Sequence, residues 1–117
     1  MIRLLAILAI LAPSVAIAQV GGGGVSGAPT TNSSATIVTG NTFQTVLSAG
    51  VRHSLTIENN NTTDSCWVFV GGGSATKGTS VLLLAGSAYT RYYPYVPNDA
   101  IQATCATTSD TLYVDTQ

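Results

Sequence analysis

Ser54-Leu55-Thr56-Ile57-Glu58-Asn59 alternates polar and apolar side chains and runs into Asn60-Asn61, a cluster of turn formers. In an extended chain successive side chains point to opposite faces, so Leu55 and Ile57 share one face and the polar residues the other. Thr111-Leu112-Tyr113-Val114-Asp115 repeats the pattern with Leu112 and Val114. Two such segments, each apolar on one side only, specify half-buried β-strands, and their apolar faces are core positions.

Working outward, further short β-type runs cover Ala35 to Thr39, Thr42 to Leu47, Cys66 to Val70, Ser80 to Leu84, Ala88 to Tyr95 and Ala100 to Cys105. Between the runs stand Gly40-Asn41, Ala49-Gly50, Gly71-Gly72-Gly73, Ala85-Gly86, Pro97-Asn98-Asp99 and Ser109-Asp110, residues that supply turn geometry. Turn signals at intervals of roughly 8 to 12 residues are those of an all-β sandwich or barrel. No window has helical periodicity. The expectation is an all-β fold: a single small antiparallel β-sandwich or jelly-roll-like domain of seven to eight short strands, spanning 35–117. Leu47-Ser48-Ala49-Gly50-Val51 and Leu83-Leu84-Ala85-Gly86-Ser87 echo each other, each a strand end followed by Ala-Gly and another strand.

Composition agrees with this reading. Of 117 residues, 8% are charged, 45% are hydrophobic and twelve are Gly, which fits neither a disordered polyampholyte nor a charge-laced helical bundle.

The N-terminus reads as an export signal over 1–18. Arg3 gives a positive start, Leu4 to Ala12 an apolar stretch, and Ala16-Ile17-Ala18 a small-x-small cleavage pattern before Gln19. The run from Leu4 to Ala18 falls short of the about 20 residues that a spanning helix needs. Residues 19–34, rich in Gly, Ser and Thr, read as a flexible leader. Export implies a secreted or periplasmic protein without stable membrane insertion. Once Arg3 leaves with the signal, three cations face five carboxylates, a formal charge of −2 and no footprint for nucleic acid.

An oxidising destination gives Cys66 and Cys105 a reading as one disulfide, with a pair of buried free thiols as the alternative. Ile101, Ala103 and Cys105 share a face; if it is inward, Cys105 can meet Cys66, which points inward with Val68 and Val70. Trp67 and Phe69 then face the other side of their sheet. A metal or redox site lacks its neighbours: there is no C-x-x-C, and His53 is the only imidazole. No metal and no cofactor are expected.

Catalytic patterns also fail. Gly71 to Thr79 contains a Gly-rich turn and Lys77, but the P-loop spacing breaks at Thr76 and Gly78. His53 and Ser54 are adjacent in an extended segment, so their side chains diverge. Glu58 and Asp115 read as solvent-facing strand positions rather than a catalytic carboxylate pair. The reading is therefore non-enzymatic.

The aromatic residues carry the functional expectation. Tyr89, Tyr92, Tyr93 and Tyr95 cluster around Arg91 and Pro94, and Trp67 and Phe69 occupy another strand. Surface Tyr and Trp offer rigid contact area with a polar tip, suited to protein or sugar. Core packing and surface contact are equally open for Trp67 and Phe69, whereas alternation cannot bury both Tyr92 and Tyr93. The expected binding residues are Trp67, Phe69, Tyr89, Tyr93 and Tyr95, in an exported structural or binding module.

Arg52-His53-Ser54-Leu55-Thr56-Ile57-Glu58-Asn59-Asn60, then Trp67-Val68, the Leu84-Ala85-Gly86 turn with Tyr89 after it, and Val96-Pro97 followed by Ala100-Ile101 resemble small β-sandwich proteins of tailed bacteriophages and prophages. The resemblance covers about half the chain. It implies a host-surface binding module or, as the alternative, a virion-associated decoration or tail component, without site residues to carry over. A virion component implies self-assembly as a homo-oligomer. Export and a cysteine pair depart from a phage structural protein assembled in a reducing cytoplasm.

Overall fold

A computed structural model describes residues 29–117. The segment expected to be an export signal, and the expected leader up to Ala28, lie outside the described residues. The strands are β1 (Thr31–Asn32), β2 (Ala35–Thr36), β3 (Gln44–Leu47), β4 (Ser54–Asn59), β5 (Cys66–Phe69), β6 (Val81–Leu83), β7 (Ala88–Tyr92), β8 (Ile101–Cys105) and β9 (Thr111–Thr116). One sheet has the order β1-β9-β4-β7, with β2 also on β9; the other has the order β3-β8-β5-β6. Every pairing is antiparallel.

The pairs β2·β9, β3·β8, β4·β7 and β5·β6 are nested one inside the next. Such nesting is what results when a long folded hairpin rolls into two sheets, the double-sheet jelly roll. The two echoed Ala-Gly segments both become connections from the four-stranded to the five-stranded sheet, β3 to β4 and β6 to β7. Gly86 in the second takes a φ of 72°, which glycine tolerates best.

Among the described residues nine strands form where seven or eight are expected. The additional pairing is β1, inside the stretch read as leader: Thr31 lies opposite Thr116 and Asn32 opposite Asp115. Asn32 then accepts the Ser34 amide, a local turn that interrupts this edge strand before β2 resumes it along β9. At the other end of the expected Ala88–Tyr95 strand the chain turns after Tyr92, so Tyr95, the next residue whose amide would face β4, leaves the ladder. The Tyr95 amide bonds back to the Tyr92 carbonyl instead, and the Tyr93–Pro94 peptide bond is cis.

The inner faces carry the apolar residues that alternation assigns. Leu55, Ile57, Leu112 and Val114 of one sheet meet Cys66, Val68, Ile101, Ala103 and Cys105 of the other, and all are fully buried. Cys66 lies opposite Cys105 in register, their Cα atoms 4.0 Å apart, and the two form a disulfide in this interior. Buried Asn59 ends the inner face of β4: its amide donates to the Asp64 and Leu83 carbonyls, and its oxygen accepts from Asn61. Along one side of the sandwich, the Gln44 carboxamide donates to Thr36 O and accepts from the Val38 amide, joining β3 to the β2 edge of the opposite sheet.

Candidate functional site

The five residues expected to bind do not meet. They divide among three places.

Tyr89 lies opposite Ile57, so it shares the inward face of its sheet and is only 9% exposed. The Arg91 guanidinium lies 4.5 Å from its ring centroid and covers the outer rim. Tyr89 is therefore a core residue, a correction to the expected binding set. Alternation from Ile57 across the β4–β7 register, unavailable before that register was known, is what turns it inward.

Trp67 and Phe69 do face away from the core, as the inward Cys66 and Val68 require, but the face they occupy is covered. Lys77 Nζ sits 3.9 Å above the Trp67 ring and donates to Asn41 Oδ1 at 2.7 Å. Gly71 lies beside the Phe69 ring, where a Cβ would come into contact with it, and the Gln102 amide donates to the Gly73 carbonyl. Thr104, opposite Trp67 on this outer side, is fully buried. The connection from β5 to β6 thus folds back over its own sheet, leaving both aromatic residues half-buried. The lysine of the Gly-rich segment is engaged by an aromatic ring and an amide rather than presented by a loop before a long helix; it opens a single 3-10 turn, Lys77–Thr79.

Tyr93 and Tyr95 stand at one end of the sandwich together with Tyr92, exposed by 73, 80 and 68% respectively. Beside them is a pocket of about 100 Å³. The β3–β4 connection supplies Val51, Arg52 and His53, and the β7–β8 connection supplies Tyr93, Pro94, Val96 and Asn98. The His53 and Tyr93 rings stand 5.8 Å apart at 46°.

Arg52 holds these two connections together. Its side chain is buried; Nη2 donates to the Ser48 carbonyl at 2.7 Å, and Nη1 donates to the carbonyls of Pro97 and, at 3.2 Å, Asp99. A planar guanidinium with several fixed donors suits such a three-carbonyl clamp. Burial pushes the Arg52 pKa below its ordinary value, and the Asp99 carboxylate opposes that shift. Further backbone bonds fix the surroundings: Gly50 donates to Asn98, Tyr93 to His53, and His53 to the main-chain oxygen of Gln117. The two exposed loops are therefore mounted on a braced frame. Composition and spacing gave no indication of this role for Arg52, because its three partners are backbone carbonyls.

Glu58 and Asp115 share the outer face of the five-stranded sheet, opposite Tyr113 and Thr56 respectively, and neither lines this pocket. Asp110 approaches both sulfurs within 4.8 Å, but those sulfurs are bonded to each other and offer no thiolate to a metal. No helix among the described residues is long and apolar enough to cross a membrane. No protein-family model, no curated protein and no solved structure matches this chain.

Proposed function

We propose that this protein is an exported, non-enzymatic binding module that engages a protein or glycan partner through the tyrosine end of its jelly roll. The observation that carries the reading is the exposure of Tyr92, Tyr93 and Tyr95 at the end that holds a pocket lined by Tyr93, its two connecting loops clamped by buried Arg52. Large aromatic side chains in water gain nothing for the fold, whereas on a braced frame they lose little entropy when a partner covers them. The interior disulfide is compatible with a secreted or periplasmic location. Double-sheet jelly rolls host lectin and viral capsid proteins alike, so the topology fits both this reading and a virion component, and decides neither.

The test uses the mature chain with paired variants, Tyr93→Ala and Tyr95→Ala, against a panel of cell-surface proteins and glycans. Both positions are exposed, so the variants should keep the wild-type thermal midpoint while losing at least tenfold in affinity, the hallmark of an interface anchor. Binding by the wild type that both variants retain would place the interface elsewhere. Absence of any binding, together with assembly of the chain into closed oligomers, would favour the virion role.

A further inference from the structure

We infer that the pocket beside Tyr93 is a subsite for part of one neutral pyranose ring, which rests against the paired Tyr93 and His53 rings. This rests on the tyrosine end being the binding surface, and it narrows the partner to an uncharged sugar.

Size limits the ligand first. At about 100 Å³ the pocket is well below the 300–1,000 Å³ of sites that enclose a cofactor or drug-sized molecule, so it accepts part of a single ring or side chain.

Charge limits it next. No carboxylate lines the pocket. The one guanidinium that does, Arg52, has its donors directed at three carbonyls, and neighbouring Arg91 lies on Tyr89 and donates to the Thr90 carbonyl. A cationic ligand would meet the Arg52 charge, and an anionic one would find no unengaged guanidinium donor and would face the Asp99 carboxylate that already offsets Arg52, so either is desolvated at a cost. A neutral ligand carries no such cost.

The wall chemistry then favours a sugar over an aliphatic side chain. Aromatic faces carry negative electrostatic potential, to which the weakly positive C–H face of a pyranose is complementary. The lining residues Tyr93, His53 and Asn98 carry side-chain donors and acceptors that ring hydroxyls can use and an aliphatic side chain cannot.

The adjacent sheet edge argues against an extended peptide. Asn59 donates to Ser87 and Tyr93 donates to His53, so the odd-numbered residues of β7 bond to β4, and Ala88, Thr90 and Tyr92 present their backbone to the open edge. The two carbonyls of that edge nearest the pocket are already occupied, Thr90 by Arg91 Nη1 and Tyr92 by the Tyr95 amide. A peptide strand added there would lack the main-chain acceptors from which strand addition derives its affinity.

The experiment measures binding of the full mature chain to immobilised neutral hexose and N-acetylhexosamine oligosaccharides, to uronic-acid and sialylated glycans, and to cell-surface proteins. Each is read at low and high salt. The expected result is binding to a neutral oligosaccharide that salt leaves unchanged, since no ion pair is screened. Tyr93→Ala and His53→Ala each weaken it more than tenfold, and Val38→Thr, at the opposite end of the sandwich, leaves it as it was. Chemical-shift changes confined to Val51–His53 and Tyr93–Asn98 place the sugar in the pocket. Binding restricted to acidic glycans and lost at high salt overturns the neutral-sugar assignment. So does binding only to proteins that Tyr93→Ala and Tyr95→Ala abolish, which leaves the tyrosine-end interface standing. Sugar binding that none of the tyrosine or histidine variants affects overturns both.

Discussion

Replacing Arg52 by Met tests whether the tyrosine end is braced in the way the structure indicates. Methionine keeps much of the apolar stem but removes every donor. Three carbonyls, those of Ser48, Pro97 and Asp99, then lose a charged partner. Hydrogen bonds to a charged group contribute roughly 1.5 to 3 kcal/mol each. Against that loss stands relief of the desolvation that already pushes the Arg52 pKa down, a cost of several kcal/mol for a buried ion. Water can also reach part of the freed backbone at this end of the sandwich. The balance is a destabilisation of about 3 kcal/mol, the lower end of the range for removing one member of a buried charged network. In a domain of fewer than 100 residues that lowers the thermal midpoint by roughly 12 to 24 °C. Calorimetry gives the midpoint, and amide exchange should locate the loss in Ser48–His53 and Tyr93–Asp99 ahead of the β4–β9 pair. Arg52→Lys should fall between, because one ammonium on a flexible stem cannot span three carbonyls. A midpoint within 3 °C of wild type, with protection of both loops intact, would falsify the clamp.

Four further outcomes follow from the packing. Replacing Cys66 and Cys105 together by Ala opens a link across a sequence separation of 39 and should cost about 4 kcal/mol in the chain-entropy model, read by urea denaturation; a loss under 1 kcal/mol would show that the link constrains the unfolded chain little. Gly40→Ala brings a Cβ to 2.9 Å from backbone atoms of Ala106, Thr107 and Thr108. None of these can rotate away, so a loss of roughly 1 to 3 kcal/mol is expected, and an unchanged denaturation midpoint would contradict it. Asn59→Ala leaves the Asp64 and Leu83 carbonyls and the Asn61 amide without their partner. A loss of about 3 kcal/mol should appear in the same assay, whereas neutrality would mean that water replaces the amide. Trp67→Ala removes the ring beneath Lys77 and uncovers Thr104, so it should destabilise the fold by about 2 kcal/mol and leave partner affinity unchanged; the reverse pattern would restore Trp67 to the binding surface.

The sequence alone determined what depends on a period of two. Leu55 and Ile57, Leu112 and Val114, and Cys66 with Val68 occupy the core because alternation in a strand leaves no other way to bury them. Export chemistry and facing strands pointed to the Cys66–Cys105 link, and the structure has it. Turn residues marked the connections closely because their conformational preferences are local. Strand ends were less legible: a turn in which the Tyr95 amide bonds back to Tyr92 ends β7 three residues before the expected limit, and β1 forms in a segment of weak propensity because β9 offers it an unpaired edge.

Tertiary structure decided everything that depends on which strands become neighbours. The aromatic residues are alike in composition, yet cross-sheet register buries Tyr89, a returning loop covers Trp67 and Phe69, and a chain reversal after Tyr92 leaves Tyr93 and Tyr95 in water. Arg52 looks in the sequence like an ordinary charged residue before a strand. Its role arises because Ser48, 4 positions away, and Pro97 and Asp99, 45 and 47 positions away, bring their carbonyls to one guanidinium. Backbone acceptors are present at every residue and so leave no mark in a sequence; only the fold determines which of them converge.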